Sequence, residues 1–260
     1  MTRILLTLTT SLVLLASAAA ADPAASKQAT APAAKVTRTP ASSGAIRGTV
    51  LFEGEAPDRP LLERDSDPYC QKTPRLAEDV VVTKGKLKDV LVRIKTGTLP
   101  ALQAAPPASP STPGPALLVQ KECMYSPRVQ GLVVGQTLAV RNSDGTFHNV
   151  RGTVAGKPLW NQPQPAKAKD LALAVPPTPG DVIEVQCDVH PWMHAYAVVQ
   201  DSPYFAVTGT DGVFAITGLP PGTYTLEAWH PTLGSKSMTV KVGTGKKGAV
   251  TARFSYKATE

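Results

Sequence analysis

Cys187, His190 and Met193 fall within seven positions of one another, and His148 stands about forty residues upstream. The whole chain holds three Cys, four His and four Met, so scarce residues are concentrated in one short stretch. One thiolate, two imidazoles and one thioether form a donor set suited to copper. Two His and one Cys in a trigonal plane, with a weak axial Met, make an electron-transfer site. The soft sulfur donors stabilise Cu(I), whereas the imidazoles accept both oxidation states. A set with four protein ligands leaves no open position, and catalytic metal sites need one. The expected chemistry is therefore transfer of single electrons and not an enzyme reaction.

The elements that carry these donors read as strands and turns. In Val182 to Cys187, Ile183, Val185 and Cys187 share one face, while Glu184 and Gln186 share the other. That alternation predicts a half-buried strand with Cys187 at its core-facing end. Thr137 to Asn142 alternates in the same way through Leu138 and Val140. His148 follows the turn signal Asp144-Gly145, and Pro176 to Pro179 marks a loop before the Cys187 strand. The donors thus belong on loops at one end of a β-sandwich.

Cys187-x2-His190-Pro191-x-Met193 resembles the ligand loop of amicyanin-type members of the plastocyanin/cupredoxin family. Tyr125-Ser126-Pro127, Val133 to Thr137, Asn142-Ser143-Asp144 and His148-Asn149-Val150 resemble the first half of the same domain. The resemblance spans residues 117 to 200 and implies a Greek-key sandwich holding one type 1 copper through His148, Cys187, His190 and Met193. It implies supporting roles for Asn142 and for Asn149, whose backbone N–H would donate to the Cys sulfur. It also implies that His190 lies at the solvent-facing edge and gives the electron its way out. Pro191 and Trp192 would then be an apolar rim where a redox partner docks, such as a c-type cytochrome or an oxidoreductase, although packing explains Trp192 equally well. At this length the domain is expected to lack a strand or to borrow one.

A second resemblance lies towards the C-terminus. Asp211 to Trp229 reads as turn, strand, turn, strand, and Leu219-Pro220-Pro221-Gly222-Thr223-Tyr224 resembles a carboxypeptidase-regulatory-like domain, a small immunoglobulin-like sandwich. The opening strands of such a domain match Ala45 to Phe52 and Leu87 to Ile94, far upstream. The reading is an all-β chain with a cupredoxin inserted in, or next to, a regulatory-like sandwich. Its boundaries are a signal peptide over 1–21 and an Ala/Pro-rich leader over 22–43. The first part of the regulatory-like sandwich follows over 44–99, a Pro-rich linker over 100–115, the copper domain over 116–202 and the second part over 203–257. Three units in series, or a first segment belonging to the cupredoxin sheet, are the alternatives.

Arg3, the apolar run Ile4 to Leu15 and Ala18 to Ala21 read as a secretory signal cleaved near Ala21, with no membrane span in the mature chain. A periplasmic or secreted protein follows. In that compartment Cys70 and Cys123 are an even pair free to bridge, two buried thiols being the alternative. His194 and His230 lack a carboxylate-rich cluster, so a surface or loop role is expected for them rather than a second copper. The net charge of +7 over 260 residues is a weak steering argument, and no basic-aromatic cluster suggests nucleic acid. The rival class is a binding or adhesion module, in which the sandwich holds a partner or glycan and copper is secondary.

Overall fold

The computed structural model describes residues 44–95, 114–176, 178–243 and 248–258, and these are all-β. The signal, the leader and nearly all of the Pro-rich linker read from the sequence lie outside the described residues. No helix among the described residues is long and apolar enough to cross a membrane.

Two pairs of sheets carry the fold. In the first pair, β1 (Gly44–Glu53) is the hub. It runs antiparallel to β15 (Val213–Leu219), with Ile46 opposite Ile216, and parallel to β18 (Ala249–Lys257). Within that ladder Thr49 to Phe52 sits opposite Arg253 to Tyr256. The short β2 (Val82–Thr83) and β3 (Lys86–Leu87) complete the sheet. The facing sheet orders β14 (Phe205–Val207), β4 (Leu91–Ile94), β16 (Gly222–His230) and β17 (Gly234–Val242). Phe214, Ile216, Tyr224 and Leu226 alternate inward, as their spacing predicts, and meet Ile46, Val50, Val92 and Phe254 in one apolar core. Gly48 has no room for a side chain, since a Cβ there would lie 2.2 Å from the Ala252 carbonyl oxygen.

The run 87–94 is not a single strand. Asp89 takes a left-handed conformation (φ 61°), and the chain crosses there from one sheet to the other. Asp tolerates that region better than most residues. Thr208 secures the crossing, because its hydroxyl donates to the Leu87 carbonyl and accepts the Val90 N–H.

The second pair of sheets is built from residues 116–200. One sheet orders β10 (Lys157–Gln164), β9 (His148–Val154), β12 (Val182–Gln186), β13 (His194–Gln200) and β7 (Val129–Val133). The other orders β11 (Leu171–Ala174), β8 (Thr137–Asn142), β5 (Ala116–Lys121) and β6 (Met124–Ser126). Every strand in these two sheets comes from within the span, which corrects the expectation of a borrowed strand. The domain takes a loop from outside instead. Residues 54–81, between β1 and β2, fold back on themselves through a Leu61–Leu76 bridge and a single 3-10 turn, Cys70–Lys72. Cys70 is disulfide-bonded to Cys123 and packs in the core of this second pair.

Candidate metal centre

β12 ends one residue before Cys187. Ile183, Val185 and Cys187 are buried and Glu184 is exposed, so the alternation delivers the thiol to the interior. A tight return follows, in which the Met193 N–H donates to the His190 carbonyl (2.9 Å) and the Cys187 N–H to the Met193 carbonyl (3.3 Å). The first residue of β9 is His148, presented by a corner that Asn142 organises. The Asn142 amide donates to the carbonyls of Thr146 (3.0 Å) and Gln164 (2.9 Å), and its oxygen accepts the Asp144 N–H (2.9 Å). Asn149 pins the loop from the other side. Its side-chain oxygen accepts the Asp188 N–H (2.6 Å), and its amide donates to the Asp188 carboxylate (2.8 Å).

These elements bring His148, Cys187 and His190 together. The two Nδ1 atoms lie 2.9 Å apart, and the Cys187 sulfur lies 3.6 Å from that of His190 and 4.0 Å from that of His148. Both imidazoles are fully buried, as is Met193, and Cys187 is 2% exposed. Met193 packs in the same core as Cys187.

The outer nitrogen of each imidazole faces a carboxylate. His148 Nε2 is 2.9 Å from Asp144 Oδ2, and His190 Nε2 is 3.0 Å from Asp67 Oδ2. An ionised carboxylate can only accept, so each ring donates its Nε2–H to its carboxylate and presents Nδ1 to Cys187. Burial pushes the Cys187 thiol up. The imidazoles of His148 and His190 and the backbone N–H groups of Asn149 and Val189 outweigh it, and the thiol is lowered to about 6. Burial also works against a charged His148, but Asp144 and Cys187 overcome it and raise that imidazole. Asp67 resists burial through Thr146, His190 and the N–H groups of Tyr69 and Cys70, and is held at about 2. Two imidazoles beside one readily ionised thiol, enclosed and close enough to touch a common ion, fit a metal of the soft-to-borderline class.

The surroundings differ from the sequence reading at His190, and at Trp192 they match its packing alternative. His190 is not at a solvent-facing edge, because the 54–81 loop covers it. Trp192 is turned inward. Its indole N–H donates to the Cys123 carbonyl (3.0 Å), its ring lies 5.1 Å from that of His190, and the Arg64 guanidinium sits over it, whereas Pro191 is exposed. His230, expected in a surface or loop role, is buried at the head of a turn, its Nδ1 accepting the N–H groups of Thr232 and Leu233. His194 is half-buried on β13. The carboxylates of Asp67 and Asp144 were not singled out as site residues. Asp144, four residues before His148, could have been noticed from its spacing, whereas Asp67 carries no local signal.

No protein-family model and no curated protein matches the sequence. Among solved structures the chain is similar to a purple cupredoxin from Nitrosopumilus maritimus, at 24% identity over 33% of this chain and 99% of that one, with a TM-score of 0.29. It is also similar to amicyanin variants. One in the reduced state shows 20% identity over 34% of this chain and 84% of that one, with a TM-score of 0.30. A second, oxidised, shows 23% identity over 36% of this chain and 89% of that one, again at 0.30.

Proposed function

We propose that this is an exported type 1 copper protein that carries single electrons, in which His148, His190 and Cys187 would hold the copper and Met193 would serve as a fourth, weaker ligand. The observation that carries the reading is the convergence of three buried donor atoms, two imidazole Nδ1 and one thiolate sulfur, on one point beside the Met193 loop. When bound, copper would supply one-electron exchange between Cu(II) and Cu(I). The residues do the rest. The paired carboxylates fix the tautomers, Asn149 and Val189 donate to the sulfur, and the closed core keeps water away.

The reading extends to a redox protein as partner, such as a c-type cytochrome or an oxidoreductase, and to passage out of the cytoplasm on the signal over 1–21. It also takes the flanking segments as one regulatory-like sandwich split by the copper domain. The pairing of β1 with β15 and β18, and of β4 with β14 and β16, supports that view.

A visible spectrum of the copper-loaded chain, before and after ascorbate, tests the site. An intense copper–thiolate band that bleaches on reduction and is missing in Cys187→Ser is the expected result. A colourless protein in which Cys187→Ser binds copper as well as the parent would overturn it.

A further inference from the structure

Residues 54–81 leave the first pair of sheets and lie against the candidate metal centre. Three fastenings hold them there. Cys70 is disulfide-bonded to Cys123. The guanidinium of Arg64, itself 4% exposed, donates to the carbonyls of Thr73 and Glu122 and covers the Trp192 ring. Tyr69 presses on the corner before His148, where a Cβ at Gly145 would come within 2.9 Å of its ring.

Asp67 rides on this strap and is set before it meets His190. Its Oδ1 accepts the N–H groups of Tyr69 (2.7 Å) and Cys70 (3.3 Å), and its Oδ2 accepts the Thr146 hydroxyl (2.8 Å). The same Oδ2 lies 3.0 Å from His190 Nε2, and the Cys70 sulfur lies 3.5 Å from that nitrogen. The outer edge of His190 is thereby closed by atoms from a segment more than a hundred residues away in sequence.

We infer that the strap is a working part of the metal centre: Asp67 is a positioning residue for His190, and the strap, latched by Cys70–Cys123, covers the face through which the site would otherwise open. The inference rests on the copper reading above for its electronic consequence but not for its steric one. A carboxylate behind an imidazole N–H fixes the ring and makes the other nitrogen a stronger donor. A stronger, more negative donor set favours the more highly charged oxidation state, so Asp67 lowers the reduction potential. A redox partner approaching from this side meets the strap and not the imidazole edge.

Two readouts on the full chain test this. The first needs no metal. Cys187 is the free thiol among the described residues, and its alkylation by a small maleimide in the metal-free protein reports whether the site is covered. Asp67→Ala and the Cys70→Ser/Cys123→Ser double variant should each label at least tenfold faster than the parent, with the sheet signal in circular dichroism retained. Parent-like rates in a folded Asp67→Ala would overturn the cover, even if the double variant fails to fold.

The second readout is the reduction potential of the copper-loaded protein. Asp67→Asn keeps the shape and removes the charge. It should raise the potential while keeping the visible band and labelling near the parent rate. An unchanged potential in a folded, coloured Asp67→Asn would remove Asp67 from the positioning role. A parent with no band would count against the copper reading alone, because the labelling comparison stands without metal.

Discussion

Each pair of sheets buries histidine, and the two do so by opposite means. His230, at the end of β16, is 1% exposed and accepts two backbone N–H groups on Nδ1. No carboxylate faces its ring among the hydrogen bonds described. Burial lowers it to about 4, with the Arg128 charge adding to the effect and Asp79 opposing it. His148 is just as enclosed, yet it is raised, because Asp144 and the Cys187 thiolate favour its proton over the opposing effect of burial. Burial alone therefore does not decide which way a histidine shifts. At His148 the facing Asp144 carboxylate and Cys187 sulfur reverse the direction that burial sets.

The largest test of this contrast is the disulfide that holds the carboxylate-bearing strap. It closes a sequence separation of 53 residues. By the chain-entropy relation Cys70→Ser/Cys123→Ser should cost about 4 kcal/mol in chemical denaturation of the metal-free protein. A loss well below that would mean the Arg64 and Tyr69 contacts anchor the strap unaided.

The next is acid. The folded value of His230 is about 4 against an ordinary 6.5, so the unfolded chain binds more protons between those limits. The stabilising contribution is whole above pH 6.5 and fades as pH falls through that window, to a loss of about 3 kcal/mol. Urea unfolding at pH 7 and pH 4.5 should show His230→Asn losing less stability than the parent over that interval. Equal losses would assign the effect to other groups.

A smaller effect probes the apolar packing of the first pair. Gly48→Ala sets a methyl against the Ala252 carbonyl and the Phe214 ring, and overpacking of this kind costs about 1–3 kcal/mol. A neutral Gly48→Ala would show that β1 and β18 can part. The smallest is a control on the surface of the second pair. Arg141 meets Asp170 through two hydrogen bonds (3.0 and 2.8 Å) but is exposed, so Arg141→Ala should leave thermal unfolding within experimental scatter.

Local pattern reaches some of this molecule and not the rest. The strand into Cys187, the alternation of Phe214 and Ile216, and the turn before His148 can be read directly, because each depends on neighbours two to four residues apart. The break at Asp89 could not be, since Val90 to Ile94 continues the apolar pattern and only the left-handed backbone divides it. His230 was expected in a surface or loop role because no carboxylate-rich cluster accompanies it. Its ring serves the turn that follows, but from a buried position. Asp67 was the least accessible of all. Nothing in Arg64 to Cys70 marks an aspartate that faces an imidazole 123 positions later. The link is made by Cys70–Cys123, a pairing that sequence leaves open.

The crossing between β4 and β14 bears on how such a chain could have arisen. The strand that leaves the first pair of sheets and the strand that re-enters it are direct antiparallel neighbours, Arg93 opposite Phe205 and Leu91 opposite Val207. Two adjacent ends of that kind are what a short hairpin would join. Everything between them could be excised and replaced by a tight turn without removing a rung from either sheet of the host. On the reading proposed above, the second pair of sheets is in that sense cargo spliced into a β-hairpin. Transplanting residues 96–204 into the matching hairpin of an unrelated sandwich would carry the donors across but leave Asp67 behind.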